Sequence, residues 1–182
     1  MNIGVKMVGI RPARTCRTLK KVAWTRYSKH NPSKSYIKAM PHTNLLNFHM
    51  GKKDGADYDT IFELAAKYDV QLRDNSLEAA RQAANKYLEK VMLNQYYFHL
   101  RVVCHNVIRE NKMIAGAGAD RLQKGMRASF GRPTDRAARI KKGQAILSIY
   151  ANSSKRAHVA EAMRRLKSKV SGKWSLREKK IK

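Results

Sequence analysis

Acidic residues are scarce in this chain and absent from its first 53 positions. Thirteen Asp or Glu stand against 39 Lys or Arg in 182 residues, giving a formal net charge of +26. Self-repulsion on that scale opposes compaction and is tolerated where a polyanion neutralises it. A soluble metabolic enzyme does not fit this balance. A nucleic-acid binder fits it best, and a protein of anionic membrane surfaces comes second. Cysteine is nearly as sparse: Cys16 and Cys104 stand alone, with no CxxC pair to suggest a zinc site or a disulfide framework. Two reduced thiols in a cytosolic protein are expected. Long apolar runs are missing too. Residues 145–149 fall far short of the roughly 20 a membrane span needs, and residues 1–17 hold no apolar leader core.

What is present is enough for a folded protein. Hydrophobic residues make up 43% of the chain, just under the usual globular range of about 45–50%. The length suits one domain with an extension. The charge is unevenly spread: residues 1–53 carry twelve bases and no acid, residues 54–89 carry four bases and eight acids, and residues 90–182 carry 23 bases and five acids. An acid-free run of that length exceeds an ordinary solvated face. Trp24, Tyr27, Tyr36 and Phe48 are interleaved in it, either as stacking planes for unpaired bases or as local cover for an extended arm.

Residues 1–43 read as a basic extended arm, because Pro12, Pro32 and Pro41 bias their predecessors away from helix. Residues 44–50 read as a short strand closing at Gly51. Thr60 and Glu63 form a capping-box pattern, which predicts a short helix through residue 68. A second helix is capped by Asn75, with Leu77, Ala80, Ala84, Tyr87, Leu88 and Val91 at helical spacing. Residues 96–103 alternate as a half-buried strand, with Phe98, Leu100 and Val102 opposite His99 and Arg101. Regularity then lapses over residues 107–133 and resumes as strand over 140–150, broken by a turn at Lys142 and Gly143. Ser154 caps a last helix with Val159, Ala162, Met163 and Leu166 inward. The basic tail, residues 171–182, is expected to fray. The sum is an α+β fold: a two-layer sandwich, helices packed on a mixed, mostly antiparallel sheet. It forms one domain with its core in residues 44–170 and a flexible Gly-rich loop near 109–133.

Catalytic constellations are thin. Gly116 and Gly118 lack the third glycine of a dinucleotide fingerprint, and Gly118 with Gly125 misses the phosphate-loop spacing. The six histidines show no metal-ligand spacing. Cys104 and His105 are neighbours, so in an extended chain they point to opposite faces and make no nucleophile–base pair. Asp54, Asp57 and Asp59 resemble a metal cluster only loosely and are better placed to complement a helix N-terminus. No catalytic, metal or cofactor residue is assigned. A loop of this length is more often functional than idle. Its Arg109, Lys112, Arg121, Lys124 and Arg127 offer about five phosphate contacts, so it reads as a finger that orders on RNA.

Several segments then form a recognisable set: Arg11-Pro12-Ala13-Arg14, Leu77-Glu78-Ala79-Ala80-Arg81, Val107-Ile108-Arg109-Glu110-Asn111-Lys112-Met113, Ala117-Gly118-Ala119-Asp120-Arg121-Leu122-Gln123, Gly125-Met126-Arg127 and Phe130-Gly131-Arg132-Pro133. In this order, from about residue 9 to 174, they resemble the large-subunit ribosomal protein family called L-sixteen in bacteria and L-ten-e in archaea and eukaryotes. Lys141-Lys142-Gly143-Gln144 resembles its archaeal branch. The resemblance implies an α/β sandwich embedded in large-subunit rRNA in the cytoplasm, shaping the A-site and peptidyl-transferase region and helping to position tRNA. It implies no enzyme, since peptide-bond chemistry there belongs to RNA. Residues expected on rRNA are Arg11, Arg14, Arg17, Lys20, Lys21, Arg26, Arg101, Arg109, Arg127, Arg132, Arg136 and Arg139. The tRNA-facing loop would be Lys112, Met113, Gly116, Gly118, Arg121 and Lys124. Partners would be rRNA, tRNA, neighbouring large-subunit proteins and assembly factors, with no membrane. An assembly factor or RNA-processing enzyme is the alternative.

Overall fold

The computed structural model describes residues 10–19, 37, 39–53, 58–112 and 131–181. Its strands are β1 (His49–Gly51), β2 (Thr60–Ala66), β3 (Val70–Arg73), β4 (Tyr97–Leu100), β5 (Asn106–Glu110), β6 (Arg132–Ile140), β7 (Ala145–Ala151) and β8 (Trp174–Lys180). Its helices are α1 (Asp74–Val91) and α2 (Arg156–Lys167), with 3-10 turns at Ala13–Thr15 and Ser153–Lys155. The strands form two sheets, ordered β1-β4-β7-β2-β8 and β3-β6-β5. Every pairing among the described residues is antiparallel, which corrects the expectation of one mixed sheet. The change of sheet falls at the expected turn. Gly143, at φ +82°, reverses the chain between β6 in one sheet and β7 in the other.

α1 forms where helical spacing placed it but starts two residues earlier than expected, with Arg73 rather than Asn75 at its N-cap. Leu77, Ala80, Ala84 and Leu88 are its buried stripe, while Val91 is exposed. Its start is tied down by Asp74, fully buried. Its Oδ2 accepts the Asn44 backbone N–H at 2.9 Å and the Asn44 side-chain amide at 3.1 Å, and its Oδ1 accepts the Asn75 N–H at 2.8 Å. A carboxylate there also suits the positive end of the helix. α2 packs against α1 and buries Val159, Ala162, Met163 and Leu166, as the spacing required. These stripes join one apolar cluster with Phe62, Leu64, Phe98, Leu147 and Ile149 of the larger sheet and Val70, Leu72, Ala138 and Ile140 of the smaller.

Two expectations fail together. Residues 60–66 are strand, not helix, and residues 174–180 are strand, not frayed tail; β2 pairs with β8 over all seven residues. The capping box is a local signal. Here Glu63 bonds across the sheet: its Oε1 accepts Arg101 Nη1 at 2.7 Å and its Oε2 accepts Lys179 Nζ at 2.9 Å. With β7 on its other flank, β2 is buried along nearly its whole length. Tertiary pairing overrides the local preference. The dipole role suggested for Asp59 falls with that helix. Its carbonyl accepts the Ile181 N–H instead, while Asp54 and Asp57 lie outside the described residues.

Candidate nucleic-acid interface

The β5–β6 pair carries the region where the sequence lost its pattern. β5 runs to Glu110 and β6 begins at Arg132, and these two residues face each other in register. Residues 111–131 therefore leave and rejoin the fold on adjacent strands. Gly131 marks the return. A Cβ there would lie 2.5 Å from the Glu110 carbonyl carbon and 2.7 Å from the Asn111 nitrogen, so only glycine permits the approach.

Residues 11–17 lie against this same sheet. Arg11 Nε donates to Glu110 Oε1 at 2.6 Å on β5. Six residues on, the Arg17 carbonyl accepts the Gln71 N–H at 2.8 Å and the Cys16 carbonyl accepts the Gln71 side-chain amide at 2.8 Å, both on β3. Since β6 lies between β5 and β3, the segment crosses the sheet from one edge to the other. It covers the face opposite the core. There, Cys16 lies near Arg73 and Asp135; burial raises the Cys16 thiol above its ordinary value, an effect Arg73 partly offsets. Burial also raises the Asp135 carboxyl, helped by Asp74 and opposed by Arg73.

The expected rRNA residues separate into groups. Arg11, Arg14 and Arg17 are exposed on the crossing segment, and Arg132 is exposed at the start of β6. Arg109 is half-buried on β5. Arg136 and Arg139 serve the fold: Arg136 Nε donates to the Pro41 carbonyl at 2.6 Å and Arg139 Nε to Gln71 Oε1 at 3.4 Å. Arg101 lies just after β4 of the other sheet, held by Glu63. Lys112 is exposed beyond β5. Lys20, Lys21, Arg26, Met113, Gly116, Gly118, Arg121, Lys124 and Arg127 lie outside the described residues. Sequence reasoning missed Arg73. No local motif marked it, and only the pairing of β3 with β6 brings it near Asp135 and Cys16.

The histidine-bearing surface is aromatic. His49 and His99 face each other across β1 and β4 with ring centroids 4.5 Å apart, and His49 Nδ1 lies 2.7 Å from Tyr97 Oη. Desolvation, then His49, Arg101 and Lys53, hold the His99 imidazole below its ordinary value. No group of His, Cys, Asp or Glu among the described residues is arranged to hold a metal. Cys104 is buried and its thiol is pushed up to about 12, the opposite of an activated nucleophile. No helix among the described residues is long and apolar enough to cross a membrane.

Exposed arginines beside the β5–β6 root, on two antiparallel sheets packed with two helices, define a basic α+β protein whose surface suits a polyanion. Residues 19–177 match the family Ribosomal protein L16p/L10e, and the chain belongs to it. It is 40% identical over 164 residues to the large ribosomal subunit protein uL16 of Methanococcus maripaludis, covering 90% of each chain. With uL16 of Hyperthermus butylicus it shares 47% identity over 138 residues, 75% of this chain and 76% of the relative. With that of Archaeoglobus fulgidus it shares 42% over 148 residues, 81% and 84%. The family is one of ribosomal proteins, not enzymes, and the likeness is to its archaeal branch.

Proposed function

We propose that this protein is a structural, rRNA-binding component of the large ribosomal subunit in the cytoplasm. The observation that carries the reading is the joint placement of residues 11–17 and the β5–β6 root, joined by Arg11 and Glu110. In this reading the arm of residues 1–43 lies on rRNA through Arg11, Arg14, Arg17, Lys20, Lys21 and Arg26. Arg109, Arg127 and Arg132 brace the loop root, and Arg101, Arg136 and Arg139 add phosphate contacts beyond their roles in the fold. Lys112, Met113, Gly116, Gly118, Arg121 and Lys124 face tRNA near the A-site and peptidyl-transferase centre. All 182 residues form one domain, with neighbouring large-subunit proteins and assembly factors as further partners.

Sedimentation of a lysate through sucrose in low and high salt tests this. Co-migration with large subunits that survives about 0.5 M salt is expected, because purely electrostatic binding collapses steeply with salt. Release to the top of the gradient would point to an assembly factor. For the loop, Arg121→Ala and Lys124→Ala are expected to impair tRNA accommodation more than incorporation into subunits. Equal loss of both would remove the tRNA-facing role.

A further inference from the structure

Away from the crossing segment, α1 and α2 enclose a groove of about 530 Å³ between their C-terminal halves. Lys86, Lys90, Arg164, Arg165 and Lys169 line it, with Tyr87 and no acidic residue in the lining. Cations at helix C-termini are expected, because they complement the macrodipole. The magnitudes decide against that as a full account. Each helix end is equivalent to roughly half a negative charge, and Glu161 beside the groove adds one more. Five cations therefore leave about three uncompensated positive charges facing one cavity.

The guanidinium groups are also fixed before any ligand arrives. Glu161 accepts Arg164 Nε and Nη2 at 2.7 and 2.9 Å and Arg165 Nε at 2.9 Å. The Arg165 guanidinium carbon lies 4.2 Å from the centroid of the Tyr87 ring, a cation–π contact that fixes its plane. The two arginines hold the Glu161 carboxyl down to about 2, so this acid stays charged at any physiological pH. Both arginines thus line the groove already oriented by Glu161 and still open to solvent.

We propose that the α1–α2 groove is a second binding site for an RNA sugar–phosphate backbone, in which Lys86, Lys90 and Lys169 neutralise successive phosphates and the fixed arginines set the register. The proposal rests on the reading of the chain as an rRNA-binding protein. RNA is favoured over an acidic protein segment because every charge lining the groove is positive and its one aromatic ring is already covered by Arg165.

The test compares the full-length protein with a Lys86→Ala, Lys90→Ala, Lys169→Ala variant on a mixed-sequence RNA duplex. The dependence of log K on log salt is measured for each. A charge-matched control replaces Lys141, Lys173 and Lys180, exposed on other surfaces. Alanine is a better helix former than lysine, so α1 is not weakened by its two substitutions, and circular dichroism checks the fold. Loss of three phosphate contacts is expected to flatten the slope by roughly two to three units, with the control changing it by less than one. Equal slopes for variant and control would overturn the groove and leave the rRNA reading standing. Absence of salt-dependent binding by the unaltered protein would overturn both. Competition by poly-L-glutamate that the triple variant abolishes, with RNA binding unchanged, would assign the groove to an acidic protein and overturn the proposal.

Discussion

The two sheets use charge in opposite ways. In the five-stranded sheet a buried acid consumes cations: Glu63 takes one from β8 and another from the chain just after β4, and the strand that carries it, β2, is buried along nearly its whole length. In the three-stranded sheet, cations on the crossing segment remain exposed, and Glu110, which ties that segment to the sheet by an ion pair, lies at the loop root. Glu63 holds its cations within the larger sheet, whereas beside the smaller one Arg11, Arg14, Arg17 and Arg132 stay exposed while Arg136 and Arg139 bond within the fold. A highly basic chain can thus be read by asking which cations the fold already occupies.

Substitutions can break that contrast. The largest effect is expected from Asp74→Ala, which leaves the Asn44 and Asn75 donors without their buried acceptor. It should lower stability by about 3 kcal/mol, read by urea denaturation. Glu63→Ala should follow at about 1.5 kcal/mol, smaller than for a fully buried pair because Arg101 and Lys179 can regain water. If Glu63→Ala costs nothing, the five-stranded sheet does not depend on its ion pairs. Arg11→Ala should cost only about 0.5 kcal/mol, as exposed pairs do, while weakening rRNA binding several-fold in a filter assay. The reverse pattern, unstable but fully binding, would place Arg11 with the structural cations.

The smallest expected effect is a pH dependence. The His99 imidazole is held below its ordinary value of 6.5, chiefly by desolvation. As pH falls through that value the unfolded chain takes up the proton first, so this residue subtracts stability on the acid side and nothing above neutrality. An NMR titration midpoint below 6.5 is expected, and His99→Gln should flatten the stability profile between about pH 7 and 5.

How much was legible in the sequence follows from the range of the interactions. α1 and α2 were readable because their stripes repeat within a turn or two. The strand at residues 97–100 and the Lys142–Gly143 turn were readable for the same reason. β2 and β8 were not. Thr60 and Glu63 satisfy a helix-start pattern, and the Trp174 strand reads as a charged tail until something pairs with it. What pairs with it lies more than a hundred residues earlier. At the interface, composition and motifs pointed to the arm and the loop root. They could not separate Arg136 and Arg139, which bond within the fold, from Arg132, which is exposed. That distinction depends on which side of β6 meets Pro41 and Gln71. Arg73 was missed because its neighbours Cys16 and Asp135 come from distant parts of the chain.

The pairing of β2 with β8 sets an order of events in synthesis. β2, flanked by β7 and β8, appears early, yet β8 is made more than a hundred residues later. Contacts of such long sequence separation form slowly. Until residues 174–180 arrive, β2 keeps an open edge and Glu63 lacks Lys179, while the strongly cationic first 53 residues are already free. The nascent chain therefore carries its polyanion-seeking residues before it can close its largest sheet, a window in which premature pairing or aggregation competes with folding.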